Sequence, residues 1–275
     1  MILHLDKNFR PFNQKEIEFE TFTFSGGEPH IRINTKINTE DDVTITHRLQ
    51  SFNDFGILLM AIDALKNMGV TNIHLVIPYF PGARQDRVIN TGEALSVKVY
   101  TNILNQQQLT SITIFDPHSD VTPALLNQCK VINNFDFIEQ VTLQLPNNLL
   151  LISPDGGALK KIYKVAAHLK HYEVVECSKS RDLKTGKLSK FTVYSEDLKG
   201  QPCLIVDDIC DGGGTFLGLA KELKAKNAGP IYLAVSHGIF SKGFDDLNKH
   251  FDKIFTTDAF STLEPNANLI QIPIF

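Results

Sequence analysis

Tryptophan is absent from the 275 residues, methionine occurs 3 times and cysteine 4 times. The cysteines, Cys129, Cys177, Cys203 and Cys210, form no C-x-x-C pair, which excludes a zinc ribbon or a thioredoxin-type motif. Such scattered cysteines read as reduced, buried thiols of a cytoplasmic protein. No apolar run approaches the roughly 18 residues that a membrane span needs. Residues 1–7 break into charge too early for a signal peptide. Excess charge is missing as well. Lys and Arg number 27 against 31 Asp and Glu, a net of −4, so the basic field of a dedicated nucleic-acid binder is lacking. Gly 17 and Pro 12 are too few for a collagen-like or low-complexity chain, and no short-period repeat suggests a solenoid. With 43% hydrophobic and 21% charged residues, the composition is globular and excludes intrinsic disorder.

Short apolar runs alternate with amphipathic stretches. Strands are expected over 74–79, 111–115, 149–153, 173–177, 203–207 and 231–236. Most are continuously apolar, as parallel strands covered on both faces are. Helices are expected over 54–68, 94–106, 158–171, 215–226 and 244–251. The alternation runs twice, so the expected fold is α/β, with two tandem Rossmann-like domains and mainly parallel sheets. Leu145-Pro146-Asn147-Asn148 is a turn-rich join, and the division is drawn as 1–141 and 142–275. Residues 22–34 read as a β-hairpin with Gly26-Gly27 near its tip. On charge alone, the basic stretch 179–191 reads as a solvated hairpin.

The most informative segment runs from Cys203 to Thr215. An apolar strand ends in Asp207-Asp208, Ile209-Cys210-Asp211 follow, and Gly212-Gly213-Gly214 lead into a helix opening at Thr215. The carboxyl end of a strand in an open α/β sheet is the usual ligand crevice. Glycines let backbone N–H groups close on an anion, and a helix start adds positive potential. Carboxylates are poor partners for phosphate but good acceptors for sugar hydroxyls. Together these ask for a ribose phosphate. The plain alternative is a glycine turn capped by Asp211.

Asp207 to Thr215 resembles the ribose-phosphate loop shared by type I phosphoribosyltransferases and ribose-phosphate pyrophosphokinases (PRPP synthetases). The segment Pro78-Tyr79-Phe80-Pro81-Gly82-Ala83-Arg84-Gln85-Asp86-Arg87 resembles the synthetase P-Y-F-x-Y-A-R-Q-D-R, which phosphoribosyltransferases lack. Phe24 to Glu28 resembles F-x-D-G-E. Asp116-Pro117-His118 resembles D-L-H, Ser153-Pro154-Asp155 resembles S-P-D, and residues 236–241 resemble T-H-P-I-F-S.

The resemblance implies two phosphoribosyltransferase-like domains, the first binding ATP. It implies transfer of the β,γ-diphosphate of Mg-ATP to the anomeric hydroxyl of ribose 5-phosphate, releasing AMP. Positioning and charge neutralisation dominate such chemistry. Phe24, Glu28, Arg84, Gln85 and Asp86 would hold ATP. Asp207, Asp208, Asp211, Gly212, Gly213, Gly214 and Thr215 would hold the ribose phosphate. His118 and Asp155 match the family's magnesium (Mg2+) site, and His118 is counted with the catalytic residues. Lys179 and Arg181 match a catalytic-loop K-x-R, making the basic hairpin a lid that brings positive charge to the transition state. The family also implies a homo-oligomer, dimer or hexamer.

The departures are specific. Gly26 stands where the family has Asp, Gly82 where it has Tyr, and Gly212 where it has a hydroxyl that would help grip the 5-phosphate. Residues 119–123 replace the family's glutamines, and the chain ends at Phe275, short of the family's final helical stretch. A missing side chain at Gly212 is expected to open space beyond the phosphate, which makes ADP-ribose an alternative acceptor, with a product usable for NAD synthesis. A non-catalytic regulatory homologue and a phosphoribosyltransferase are the remaining readings.

Overall fold

A computed structural model describes residues 1–181 and 188–275, with side chains from 180 to 190 outside that description. The chain forms two compact units, Met1–Asn133 with Phe275, and Asn134–Ile274. They divide eight residues before the 141/142 position drawn from the sequence. The helix Phe135–Thr142 starts just after the first position and crosses the second at its last residue.

The N-terminal unit contains β1 (Ile2–His4), the hairpin β2 (Phe19–Thr23) and β3 (Pro29–Ile33), β4 (Val43–Thr46), α1 (Phe52–Asn67), β5 (Ile73–Val76), α2 (Ser96–Gln106), β6 (Ser111–Phe115), α3 (Val121–Leu125) and β7 (Cys129–Ile132). Its parallel sheet has the order β1-β4-β5-β6-β7. Helix α1 starts in a capping box, in which Ser51 and Asp54 satisfy each other's backbone N–H groups. Its Phe55, Leu58, Ile62 and Leu65 recur at helical spacing and are fully buried. Each such side chain contributes roughly 1.5–3 kcal/mol by leaving water.

The C-terminal unit contains α4 (Phe135–Thr142), β8 (Leu150–Ser153), α5 (Leu159–Leu169), β9 (Val174–Arg181), β10 (Leu188–Val193), β11 (Cys203–Cys210), α6 (Gly214–Ala225), β12 (Ile231–Gly238), β13 (Lys253–Thr257) and β14 (Leu269–Ile272). The order is β10-β9-β8-β11-β12-β13-β14, parallel except for the antiparallel pair β9–β10. Strand β12 is buried at every position, which is why its sequence shows no polar alternation. The chain leaves β8 toward β9 on one side, whereas β11, β12 and β13 build the other side. The order therefore reverses between β8 and β11, and ligands of open α/β sheets bind at such a switch point.

One expected helix is corrected. Residues 244–251 hold only a 3-10 turn, Leu247–Lys249. Gly243 before it has φ +70°, and Leu247 and Phe251 reach the core without a longer helix. No helix among the described residues is long and apolar enough to cross a membrane.

Candidate functional site

In the C-terminal unit, Asp155 follows β8 and Asp207-Asp208 lie in β11, on the two strands flanking the switch point. Asp155 is held as an acceptor. Its Oδ1 receives the backbone N–H groups of Gly157 at 2.8 Å and Ala158 at 3.1 Å. Its other oxygen is ion-paired with Lys179 of β9. Asp208 is buried, and Lys161 of α5 stands 3.8 Å from its carboxylate. Asp207 accepts the backbone N–H of Asp208 at 2.9 Å. Burial, with the adjoining Asp208 charge second, pushes the Asp207 carboxyl well above the usual carboxylate range.

The glycine loop is shaped by one residue in particular. Gly213, the residue before α6, has φ +74°, a left-handed conformation that favours glycine. The N-cap position of α6 falls on Gly213, which has no side chain to receive the first-turn N–H groups. Asp211 stands two residues before that cap position. Its carboxylate accepts the Ser241 hydroxyl at 2.6 Å, and its carbonyl accepts the Ser241 N–H at 3.2 Å. Those bonds fasten the turn after β12 onto the loop. The space expected beside Gly212 is taken up, because a Cβ there would lie 3.3 Å from both Cδ and Cε of Lys242.

In the N-terminal unit, the 78–87 segment follows β5, and Asp116-Pro117-His118 follows the neighbouring β6. Arg84 and Gln85 are exposed, whereas Asp86 is buried and accepts Arg87 Nε at 3.0 Å. Burial alone would raise the Asp86 carboxyl. Hydrogen bonds from Arg87 and Ser119 and the charges of Arg87 and His118 outweigh it and hold the group below its ordinary value. Asp86 and exposed His118 are thus brought together. Asp116 has φ +35°, a left-handed backbone on a non-glycine residue of the kind that clusters at functional sites.

The hairpin β2–β3 carries Phe24, which is 55% exposed and so is no core aromatic. It contacts Phe22 edge-on, with ring centroids 5.0 Å apart. A Cβ at Gly26 would lie 2.6 Å from a carboxylate oxygen of Glu28, so Glu28 occupies the room of the side chain missing there. The Arg181 side chain and the centre of the proposed lid lie outside the described residues. Sequence reasoning did not single out Lys161 or Lys242, and it quoted Ser241 only as the end of a motif, without a role. A Lys160-Lys161 pair on the helix after S-P-D was the available signal for the first; the other two depend on a turn packing against a loop 30 residues away.

Residues 10–107 match the family model described as the N-terminal domain of ribose phosphate pyrophosphokinase, and residues 130–262 match the phosphoribosyl transferase domain. The ribose-phosphate pyrophosphokinase of Thermococcus kodakarensis is 29% identical over 273 residues, covering 94% of this chain and 91% of the relative. That of Sulfolobus acidocaldarius is 27% identical over 262 residues, covering 93% and 89%. The crystal structure of phosphoribosylpyrophosphate synthetase from Mycobacterium smegmatis has the same fold, with a TM-score of 0.86 at 20% identity over 100% of this chain and 94% of that one.

Proposed function

This chain belongs to the ribose-phosphate pyrophosphokinase family, and from that premise we propose that it moves the β,γ-diphosphate of ATP onto the anomeric hydroxyl of ribose 5-phosphate. The anomeric oxygen bonds to the β-phosphorus while the bond from that phosphorus to the α–β bridging oxygen breaks. AMP leaves with the bridging oxygen, and the hydroxyl proton is released.

One observation carries the reading. A carboxylate pair near the end of β11 is followed by a glycine loop and a helix start without a side-chain cap. Asp207 and Asp208 accept from the ribose hydroxyls, while the amides of Gly212 to Thr215 receive the 5-phosphate. Lys179 supplies positive charge to the transferring group once it leaves Asp155. Phe24, Glu28, Arg84, Gln85 and Asp86 hold the nucleotide, with Arg84 forking onto phosphate oxygens or stacking on the base.

Magnesium takes oxygen donors. Asp155 fits, through the oxygen that its backbone contacts leave to Lys179. The imidazole of His118, a nitrogen donor in the N-terminal unit, is a poorer match to magnesium. Held by Asp155, the ion would neutralise triphosphate charge.

The test is direct. The protein is mixed with Mg-ATP and either ribose 5-phosphate or ADP-ribose, and products are followed by mass spectrometry. The reading expects AMP and a sugar 1-diphosphate with ribose 5-phosphate. AMP with ADP-ribose alone moves the assignment to that acceptor, and no turnover with either points to a regulatory homologue.

A further inference from the structure

Gly212 lacks a side chain for a reason its own backbone does not supply. Its φ lies outside the left-handed region, unlike that of Gly213, so a β-carbon there would be conformationally ordinary. What the missing Cβ admits is the stem of Lys242. The Cδ and Cε of Lys242 each lie 3.3 Å from the Cβ position, and Cγ lies 3.6 Å from it.

The stem is not there by chance drift of a surface lysine. Ser241 binds Asp211 twice, through its hydroxyl at 2.6 Å and its N–H at 3.2 Å. The N–H groups of Ile239 and Phe240 both bond to the Cys210 carbonyl, at 2.9 and 3.1 Å. Gly243 closes the turn by donating to Phe240 at 2.8 Å. The residue between Ser241 and Gly243 is thereby aimed along the loop. Among the described residues, the Lys242 ammonium has no hydrogen-bond or ion-pair partner.

We propose that Lys242 is a specificity-determining ligand for the phosphate arm of the sugar acceptor, its ammonium standing in for a side-chain donor at position 212. Bonded directly to Cε, one of the stem atoms that touch Gly212, the ammonium reaches the region that a hydroxyl there would serve. The substitution exchanges a neutral donor for a charged one. A charged hydrogen bond to phosphate is the stronger of the two, and at this exposed position it weakens with added salt.

The inference rests on the phosphorylated-ribose reading above, and its test separates the two. Binding of ribose 5-phosphate and of inorganic phosphate is measured by calorimetry on the full chain and on three variants, beside AMP release. Lys242→Ala should weaken ribose 5-phosphate by about tenfold, the scale of one charged hydrogen bond, and leave ATP binding unchanged. Lys242→Arg should retain most of the affinity. The double variant Gly212→Thr with Lys242→Ala should recover part of it, and with less dependence on salt than the natural chain. Unchanged affinity in Lys242→Ala overturns the assignment of Lys242 even if AMP release is normal. Loss of phosphate binding in Lys242→Ala, in a protein that releases no AMP with ribose 5-phosphate, supports the assignment while overturning the acceptor. Failure of the natural chain to bind either ligand overturns both.

Discussion

The Lys179 ammonium is ion-paired with the Asp155 carboxylate, joining strand β9 to the turn after β8. Both side chains are partly buried, so the pair is shielded more than a surface ion pair. It holds the proposed transition-state cation beside the proposed metal-side carboxylate.

Lys179→Ala should lower kcat on the order of 10²–10³-fold, the scale of removing one electrostatic stabiliser from a transition state. The Kd for ATP should change little. Single-turnover kinetics with equilibrium nucleotide binding checks this; an equal loss in both quantities would make Lys179 a ground-state ligand instead.

Asp207→Asn should change stability in a pH-dependent way. The folded Asp207 pKa is raised by burial and by Asp208, above an unfolded value near ~3.9. The stability associated with the protonated group is full below the unfolded pKa and is lost as pH rises through the folded one. The asparagine variant escapes that loss. Its Tm should match that of the natural chain at about pH 4 and exceed it at neutral pH, by roughly 2–4 °C for each kcal/mol relieved. The same variant should weaken the sugar acceptor more than ATP. A Tm difference that does not vary with pH would remove the buried-carboxylate argument.

Gly82→Ala should destabilise the N-terminal unit by about 1–3 kcal/mol. Gly82 has φ +71°, and a Cβ would lie 3.2 Å from Ser96 and from the Tyr100 ring. The loss of the family's tyrosine at this position is thus matched by a backbone that excludes one. Urea midpoints of the two proteins measure the effect, and equal midpoints would contradict it.

The buried thiols should be inert in the folded protein. Burial pushes Cys177 and Cys210 up to about 12, and Cys203 to about 11. The thiolate is the reactive form, so a thiol reagent at pH 8 should modify these three only on unfolding. Rapid native labelling would contradict the packing of β9 and β11.

The local structure of the candidate site was legible where short-range sequence dictates it. The run Cys203-Leu204-Ile205-Val206 reads as a buried strand and Gly212-Gly213-Gly214 as a turn into α6, and the structure agrees; the aspartates, expected to end the strand, lie inside β11, which continues to Cys210. The aromatic hairpin was readable from Gly26-Gly27 between two β-rich runs. Strands β1, β4, β7, β13 and β14 escaped notice because each is three to five residues long and includes at least one polar residue, which leaves too short an apolar run to read. The expected helix at 244–251 failed because two apolar anchors, Leu247 and Phe251, fit a single turn as well as a helix face. Lys242 was illegible for another reason. Its place beside Gly212 follows from parallel pairing of β11 with β12, which aligns Cys210 with Gly238 and lays one loop on the other.

The central claim is that the carboxylate pair of β11 grips a pentose while the loop from Gly212 to Thr215 receives its phosphate. A crystal structure of the protein grown with ribose 5-phosphate measures this most directly. The phosphate should lie on the loop amides and the ribose hydroxyls on Asp207 and Asp208. An empty loop, with the sugar phosphate bound elsewhere, would contradict it.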